Sequence, residues 1–227
     1  MLIYGHRGSS GTMPENTLPA FAQAIADGAD GVEFDVRATA DGVPIVIHDR
    51  QIDRGTRPDE NVDAMTLEDL RQAAPADAPA VPTFEAVLDR IAGRLRLDIE
   101  LKQAGIEQSV LDRLKRYPNA EWVISSFDWD SLRAVRAMDA NAPLWPLAMA
   151  ADDALFAIAR ELESASIALY AGALTQEVVD RCTAAGLEIM VWTVNDLLEA
   201  RQAQELGVAA LCTDYPGLIR AGLTEPD

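Results

Sequence analysis

Short apolar runs alternate with longer stretches in which apolar residues recur every three or four positions. The runs are rich in β-branched and aromatic residues and predict strands. The longer stretches predict amphipathic helices that bury one face. "MLIYG" reads as a strand, followed by a helix in "NTLPAFAQAIADG", with Asn16 or Thr17 as N-cap and Gly28 closing it. The same alternation repeats through strands at "GVEFDVR", "LRLDIELK", "EWVISSF", "SIALYAG", "LEIMVWTVN" and "AALCTD". "PLWPLAMA" is a weaker strand, interrupted by Pro143 and Pro146. Intervening helices are expected at "PTFEAVLDRIAG", "IEQSVLDRLKRY", "DWDSLRAVRAMDA", "DALFAIARELES", "TQEVVDRCTAAG" and "DLLEARQAQELG", and "PGLIRAG" ends the pattern.

Eight strand-then-helix units imply parallel strands joined by helical crossovers. In 227 residues they point to an α/β fold of the (β/α)8 TIM-barrel kind, in a single domain spanning 1–227. The rival is a doubly wound open sheet, which would carry a glycine-rich phosphate loop that "GHRGSSG" matches only loosely. One place breaks the alternation. "GVEFDVR" and "VPIVIHD" lie too close for a crossover, and Asp41-Gly42 is a turn signal. These runs are expected to form an antiparallel β-hairpin after the second strand, with His48 about level with Glu33. Residues 49–81 then read as a small proline-bearing insertion over the barrel mouth, with a helix at "TLEDLRQA" opened by the Thr66/Asp69 pair.

Composition narrows the function. The formal charge is −18, from 37 acidic and 19 basic side chains. So acidic a surface disfavours nucleic acid and anionic membranes as partners. An anionic substrate would need positive charge gathered locally. No apolar stretch approaches the ~20 residues that span a bilayer. A strand beginning at Leu2 leaves no room for a signal peptide, so a cytoplasmic location is expected, without stable membrane association. Cys182 and Cys212 stand in apolar contexts and are expected to be buried free thiols.

Candidate chemistry collects at strand ends. Side chains alternate faces along a strand, so Glu33 and Asp35 share one face of "GVEFDVR". Asp98, Glu100 and Lys102 share one face of "LRLDIELK". Buried parallel strands are normally apolar throughout, and carboxylates inside a barrel are costly unless paired or bound to a cation. Glu33, Asp35 and Glu100 therefore read either as oxygen ligands of a hard divalent cation, Mg2+ or Ca2+, or as partners of Arg37, Lys102 and other cations in structural salt bridges. The only two histidines, His6 and His48, both sit at strand exits near those carboxylates, placed for proton transfer. Arg7 and Lys102, one of just two lysines, supply local positive charge suited to a phosphate ester.

The segments "GHRGSSGTMPENT", "GVEFDVRATADGVPIVIHD", "LDIELK", "ISSFD", "VWTVN" and "CTDYP" resemble, in order, the glycerophosphodiester phosphodiesterase family, from His6 to Pro216. The resemblance implies a TIM barrel with a small insertion after its second strand. It implies hydrolysis of a small-molecule glycerophosphodiester to glycerol 3-phosphate and an alcohol. It makes His6 and His48 the acid–base pair and Glu33, Asp35 and Glu100 the ligands of a divalent cation. It makes Arg7 and Lys102 phosphate contacts, and places Phe127 and Trp192 along the substrate mouth. For Trp192 the alternative is a plain core tryptophan. Asn16 is read as a helix cap and Glu15 as orienting a neighbour in the site. Other readings are a related barrel acting as a lysophospholipase D or on phosphoinositides, and a non-catalytic metal- or phosphate-binding barrel. Oligomeric state is left open.

Overall fold

The computed structural model of the chain describes residues 1–51, 61–73 and 79–224. The described elements are β1 (Leu2–His6), α1 (Leu18–Ala26), β2 (Gly31–Ala38), β3 (Pro44–Val46), α2 (Leu67–Ala73), α3 (Phe84–Ile91), β4 (Arg96–Leu101), α4 (Glu107–Leu114), β5 (Trp122–Ser126), α5 (Trp129–Met138), β6 (Leu144–Ala148), α6 (Asp153–Glu161), β7 (Ser166–Tyr170), α7 (Gln176–Ala184), β8 (Glu188–Trp192), α8 (Leu197–Glu205), β9 (Ala210–Thr213) and α9 (Pro216–Thr224). Strands pair in the order β1-β9-β8-β7-β6-β5-β4-β2, and β2 pairs back to β1. All these pairings are parallel, so eight strands close into a TIM barrel, and β3 adds to β2 antiparallel.

The two faces of each strand do different work. Val32, Phe34 and Val36 of β2, Leu97, Ile99 and Leu101 of β4 and Ile189 and Val191 of β8 point outward into one large core shared with the helices. Inside the barrel, Tyr4, Leu147, Ala168, Met190, Ala210 and Cys212 form a separate apolar cluster. On the β2–β4 side the interior is instead lined with carboxylates. Helices start where the sequence offers oxygen caps: Thr17, Thr83, Asp152 and Thr175 each accept a first-turn backbone N–H. Thr66 and Asp69 form the reciprocal pair expected ahead of α2, each accepting the other's backbone N–H.

Several expectations need adjusting. The β6 run forms a strand despite its prolines, with Pro146 beside Ser126. "PGLIRAG", given no element from its pattern, lies in α9. Thr17 alone caps α1. In the hairpin, Val36 faces Val46 and Arg37 faces Ile45, a register that centres the turn on Asp41 and sets His48 one residue off the expected level. Residues 49–81 lie only partly within the described residues. Val62, Met65 and Leu70 pack on Ile45 of β3 as a small satellite core. The described part of the segment leans on the outside of the hairpin and contributes nothing to the lining of the mouth cavity, where an excursion over the mouth was expected. Cys182 and Cys212 are buried free thiols, one in each main cluster. Among the described residues no helix is long and apolar enough to cross a membrane.

Candidate active site

The C-terminal ends of the barrel strands surround a cavity of about 180 Å³ lined by His6, Arg7, Glu33, His48, Glu100, Lys102, Phe127 and Trp192, with Asp98, Ser125, Leu147, Met190 and Cys212 deeper in. Every proposed site residue except Asp35 lines this space, and Asp35 lies directly behind it through its contacts with Arg7 and Lys102. This is the barrel face on which catalytic groups of the fold collect.

Glu33 and Asp35 point inward from β2 because Val32, Phe34 and Val36 take the outward face, and Glu100 does so from β4. One oxygen from each of the three lies within 4.8 Å of the others, and all three side chains are buried. The Arg7 backbone N–H donates to Glu33 Oε2 at 3.0 Å, and Asn16 Nδ2 donates to Asp35 Oδ2 at 2.7 Å. Lys102 Nζ stands 2.7 Å from Glu100 Oε1 and 3.4 Å from Asp35 Oδ1, and Arg7 Nε is 3.3 Å from Asp35 Oδ2.

Burial, with the charges of Asp35, Glu100 and Asp98 added, pushes the Glu33 carboxyl well above the usual carboxylate range. Burial and Asp35 push Glu100 up to about 6, against the pull of Lys102. Below the cluster, burial raises Asp98 to about 8, although Ser125 Oγ donates to its Oδ1 at 2.6 Å. Burial opposes a cationic Lys102, but Asp35 and Glu100 outweigh it and raise the ammonium above its ordinary value. The site thus gathers more carboxyl groups than its two cations can pair, and the surplus is held toward the protonated form. Glu33 Oε1 is buried with no hydrogen-bond partner. An all-oxygen, electron-rich, incompletely satisfied donor set fits a hard divalent cation better than a closed salt-bridge network.

The cationic side is built by backbone geometry. Arg7 has φ 54, in the left-handed region that residues with a Cβ rarely adopt, and this aims its N–H at Glu33 while its side chain turns to Asp35 and Glu15. Gly8 follows at φ 86, and a Cβ there would stand 2.7 Å from the backbone of Ala20 in α1. Arg7 Nη1 donates to both Glu15 oxygens at 2.9 Å, so Glu15 does orient a neighbour in the site. Asn16 is buried with φ 56 and serves Asp35. Its assignment as a helix cap is corrected accordingly.

The histidines arrive from two strands that both pair with β2. His6 ends β1, with Nε2 4.0 Å from Glu33 Oε2 and Nδ1 2.7 Å from Asp214 Oδ1. His48 follows β3, and its Nδ1 lies 2.7 Å from Asp49 Oδ1. Arg37 fixes that segment: its Nε donates to the His48 carbonyl at 2.8 Å and its Nη1 to the Lys102 carbonyl at 3.1 Å. The salt-bridge role considered for Arg37 is thereby replaced by two backbone contacts. On the far side, Trp192 meets Phe127 edge-on at 5.4 Å between ring centres and Tyr170 at 5.7 Å. Trp192 also packs against the interior cluster, so it is both mouth and core. Asp214, Asn195 and Ser10 join this network without having been singled out for the site from the sequence. Asp214 and Asn195 lie in "CTDYP" and "VWTVN", whose residues carry the only sequence signal for them.

A parallel eight-stranded barrel thus gathers an acidic cluster, two histidines and two cations at its C-terminal mouth, the face where enzymes of this fold carry their active sites. A family model for the glycerophosphoryl diester phosphodiesterase family matches residues 6–218. The chain is 31% identical to the glycerophosphodiester phosphodiesterase of Caldanaerobacter subterraneus subsp. tengcongensis, over 97% of this chain and 98% of that protein. Its fold superposes with a TM-score of 0.90 on a phosphodiesterase of Oleispira antarctica solved with the product sn-glycerol-3-phosphate, at 25% identity, covering 99% of this chain and 97% of that one. The Thermotoga maritima glycerophosphodiester phosphodiesterase superposes with a TM-score of 0.83 at 28% identity, over 97% of both chains. The chain belongs to the glycerophosphoryl diester phosphodiesterase family and is an enzyme of that family.

Proposed function

We propose that the protein hydrolyses glycerophosphodiesters to glycerol 3-phosphate and an alcohol, with a divalent cation held by Glu33, Asp35 and Glu100. The observation that carries this reading is the meeting of those three buried carboxylates within 4.8 Å, in a mouth shared with two histidines. When bound, Mg2+ or Ca2+ would supply charge neutralisation for the phosphate. Arg7 and Lys102 share that task from the protein side, each held cationic by neighbouring carboxylates.

His6, with Nε2 near Glu33, is the base that takes a proton from the attacking hydroxyl, which belongs to water or to the substrate itself. His48, whose backbone carbonyl is held by Arg37, is the acid that protonates the departing alkoxide. Phe127 and Trp192 give the alcohol an apolar wall. The partner is a small molecule, and the net charge of −18 disfavours nucleic acid and anionic membranes.

The test is release of glycerol 3-phosphate over a panel of diesters, with and without added cations. Activity untouched by EDTA would sink the metal part of the proposal.

One observation favours a second reading. Phe127, Met149 and Tyr170 are 45%, 57% and 41% exposed at the ends of β5, β6 and β7. They form exposed apolar surface beside the mouth, of the kind that a lysophospholipid chain would use. Turnover of lysophosphatidylcholine against glycerophosphocholine separates the two substrates.

A further inference from the structure

The motifs "CTDYP" and "VWTVN" have so far no role beyond Trp192. Both contribute to the surroundings of His6, Asp214 directly and Asn195 through Asp214. Asp214 follows β9 and places Oδ1 2.7 Å from His6 Nδ1 across 208 residues of chain. Four contacts fix the carboxylate and the loop that carries it. Ser10 Oγ donates to the same Oδ1 at 2.8 Å. Asn195 Nδ2 donates to Oδ2 at 2.5 Å. The Asp214 N–H returns to Asn195 Oδ1 at 2.8 Å. The Gly11 N–H donates to the Asp214 carbonyl at 2.9 Å.

His48 makes a contact of the same length with Asp49, but the two are unlike. Asp49 is the next residue in the chain and its side chain is 76% exposed, so water competes for it. The Asp214 side chain is 27% exposed and held from three directions.

We infer that Asp214 is a positioning residue: it holds His6 as the Nδ1–H tautomer and so leaves the Nε2 lone pair facing the cavity. A carboxylate can only accept at Nδ1, and Ser10 and Asn195 already donate to its two oxygens. The proton must therefore come from the ring. Burial would raise the Asp214 carboxyl, but hydrogen bonds from His6, Ser10 and Asn195 outweigh it and take it down to about 2, so it remains an acceptor throughout the working range. Without that anchor the imidazole is free to carry its proton on Nε2, the nitrogen that must accept one. This rests on the proposed role of His6 as base, and the test separates the two.

The experiment is long-range 1H–15N correlation on 15N-labelled full chain, at an alkaline pH where an ordinary imidazole is neutral. With only two histidines, a His48→Gln sample assigns every ring signal. The wild type is expected to show His6 protonated at Nδ1. In Asp214→Asn, a near-isosteric change, the pattern should shift toward Nε2–H while the His48 signals stay in place. The same variant should lose about 10²–10⁴-fold in kcat with KM within about threefold. A wild-type spectrum with His6 protonated at Nε2 overturns the inference with no variant needed. A fall in kcat with an unchanged His6 tautomer in Asp214→Asn also overturns it. A shifted tautomer with undiminished turnover supports the positioning and instead defeats His6 as the base.

Discussion

The two halves of the barrel mouth are built from the same repeated unit and do opposite things. On β1, β2 and β4 the inward positions near the C-terminal ends hold His6, Glu33, Asp35 and Glu100, with Arg7 and Lys102 just beyond. On β5 to β8 the exits present Phe127, Met149, Tyr170 and Trp192. The layer beneath shifts the boundary by one strand: Asp98 of β4 and Ser125 of β5 are polar, and Leu147, Ala168 and Met190 of β6 to β8 are apolar. Charges that must act together on one phosphate are clustered on neighbouring strands. Their mutual repulsion is tolerated because two cations and the proposed dication offset it. The apolar half carries no such charges, and in the proposed reaction it faces the group that leaves.

The largest effect should come from the charged half. Glu33→Gln is expected to cut kcat/KM by about 10³–10⁵-fold, since a catalytic dication is worth several kcal/mol, and to weaken Mg2+ or Ca2+ binding by calorimetry. It should leave the melting temperature of the metal-free protein undiminished, because the carboxylate it removes is destabilised by burial. A lower melting temperature with metal binding intact would return these carboxylates to a structural salt-bridge role.

His6→Ala and His48→Ala should each lose about 10²–10⁴-fold in kcat while remaining folded by circular dichroism. Near-normal turnover in either defeats its assignment.

Next comes pH. The folded Glu100 carboxyl lies at about 6, above its ordinary 4.5, so the native state keeps a proton that the unfolded chain gives up. That contribution is fully present below about 4.5 and is lost as pH rises through 6. It is on the order of 2 kcal/mol. Asp98, at about 8, extends the loss to higher pH. Added Mg2+ or Ca2+ should therefore raise the melting temperature by several degrees more at pH 8 than at pH 5 in a thermal scan.

The smallest effect belongs to the apolar half. Phe127→Ala should raise KM by up to about tenfold, an edge-on aromatic contact being worth about 1 kcal/mol. The size of the change should depend on the alcohol while kcat stays within about threefold. Equal changes for every diester would show that the two halves do not divide the labour in this way.

Much of this division was legible in the chain. A carboxylate at every second position of an otherwise apolar strand can face only one way, which is why Glu33, Asp35 and Glu100 were found. Eight strand-helix units left few topologies open, and the Asp41-Gly42 turn announced the hairpin. What could not be read is carried by contacts between distant loops. Asp214 gains its meaning only because β9 closes against β1, and nothing local to "CTDYP" says so. Asn16 looked like a cap because Asn caps helices, yet the neighbouring threonine does that and a left-handed backbone frees Asn16 for Asp35. The hairpin register missed by one residue because turn geometry, which the pattern of apolar residues does not fix, sets the pairing.

The seam between β1 and β9 has a consequence for how the molecule is made. During synthesis β1 emerges before both of its neighbours, and about 200 residues separate it from β9, the second of them. A nascent chain halted short of Ala210 has both histidines and all three clustered carboxylates, but neither a closed ring of strands nor the acid that His6 meets. Closure of the ring by β9 and arrival of the carboxylate beside His6 are thus one and the same event.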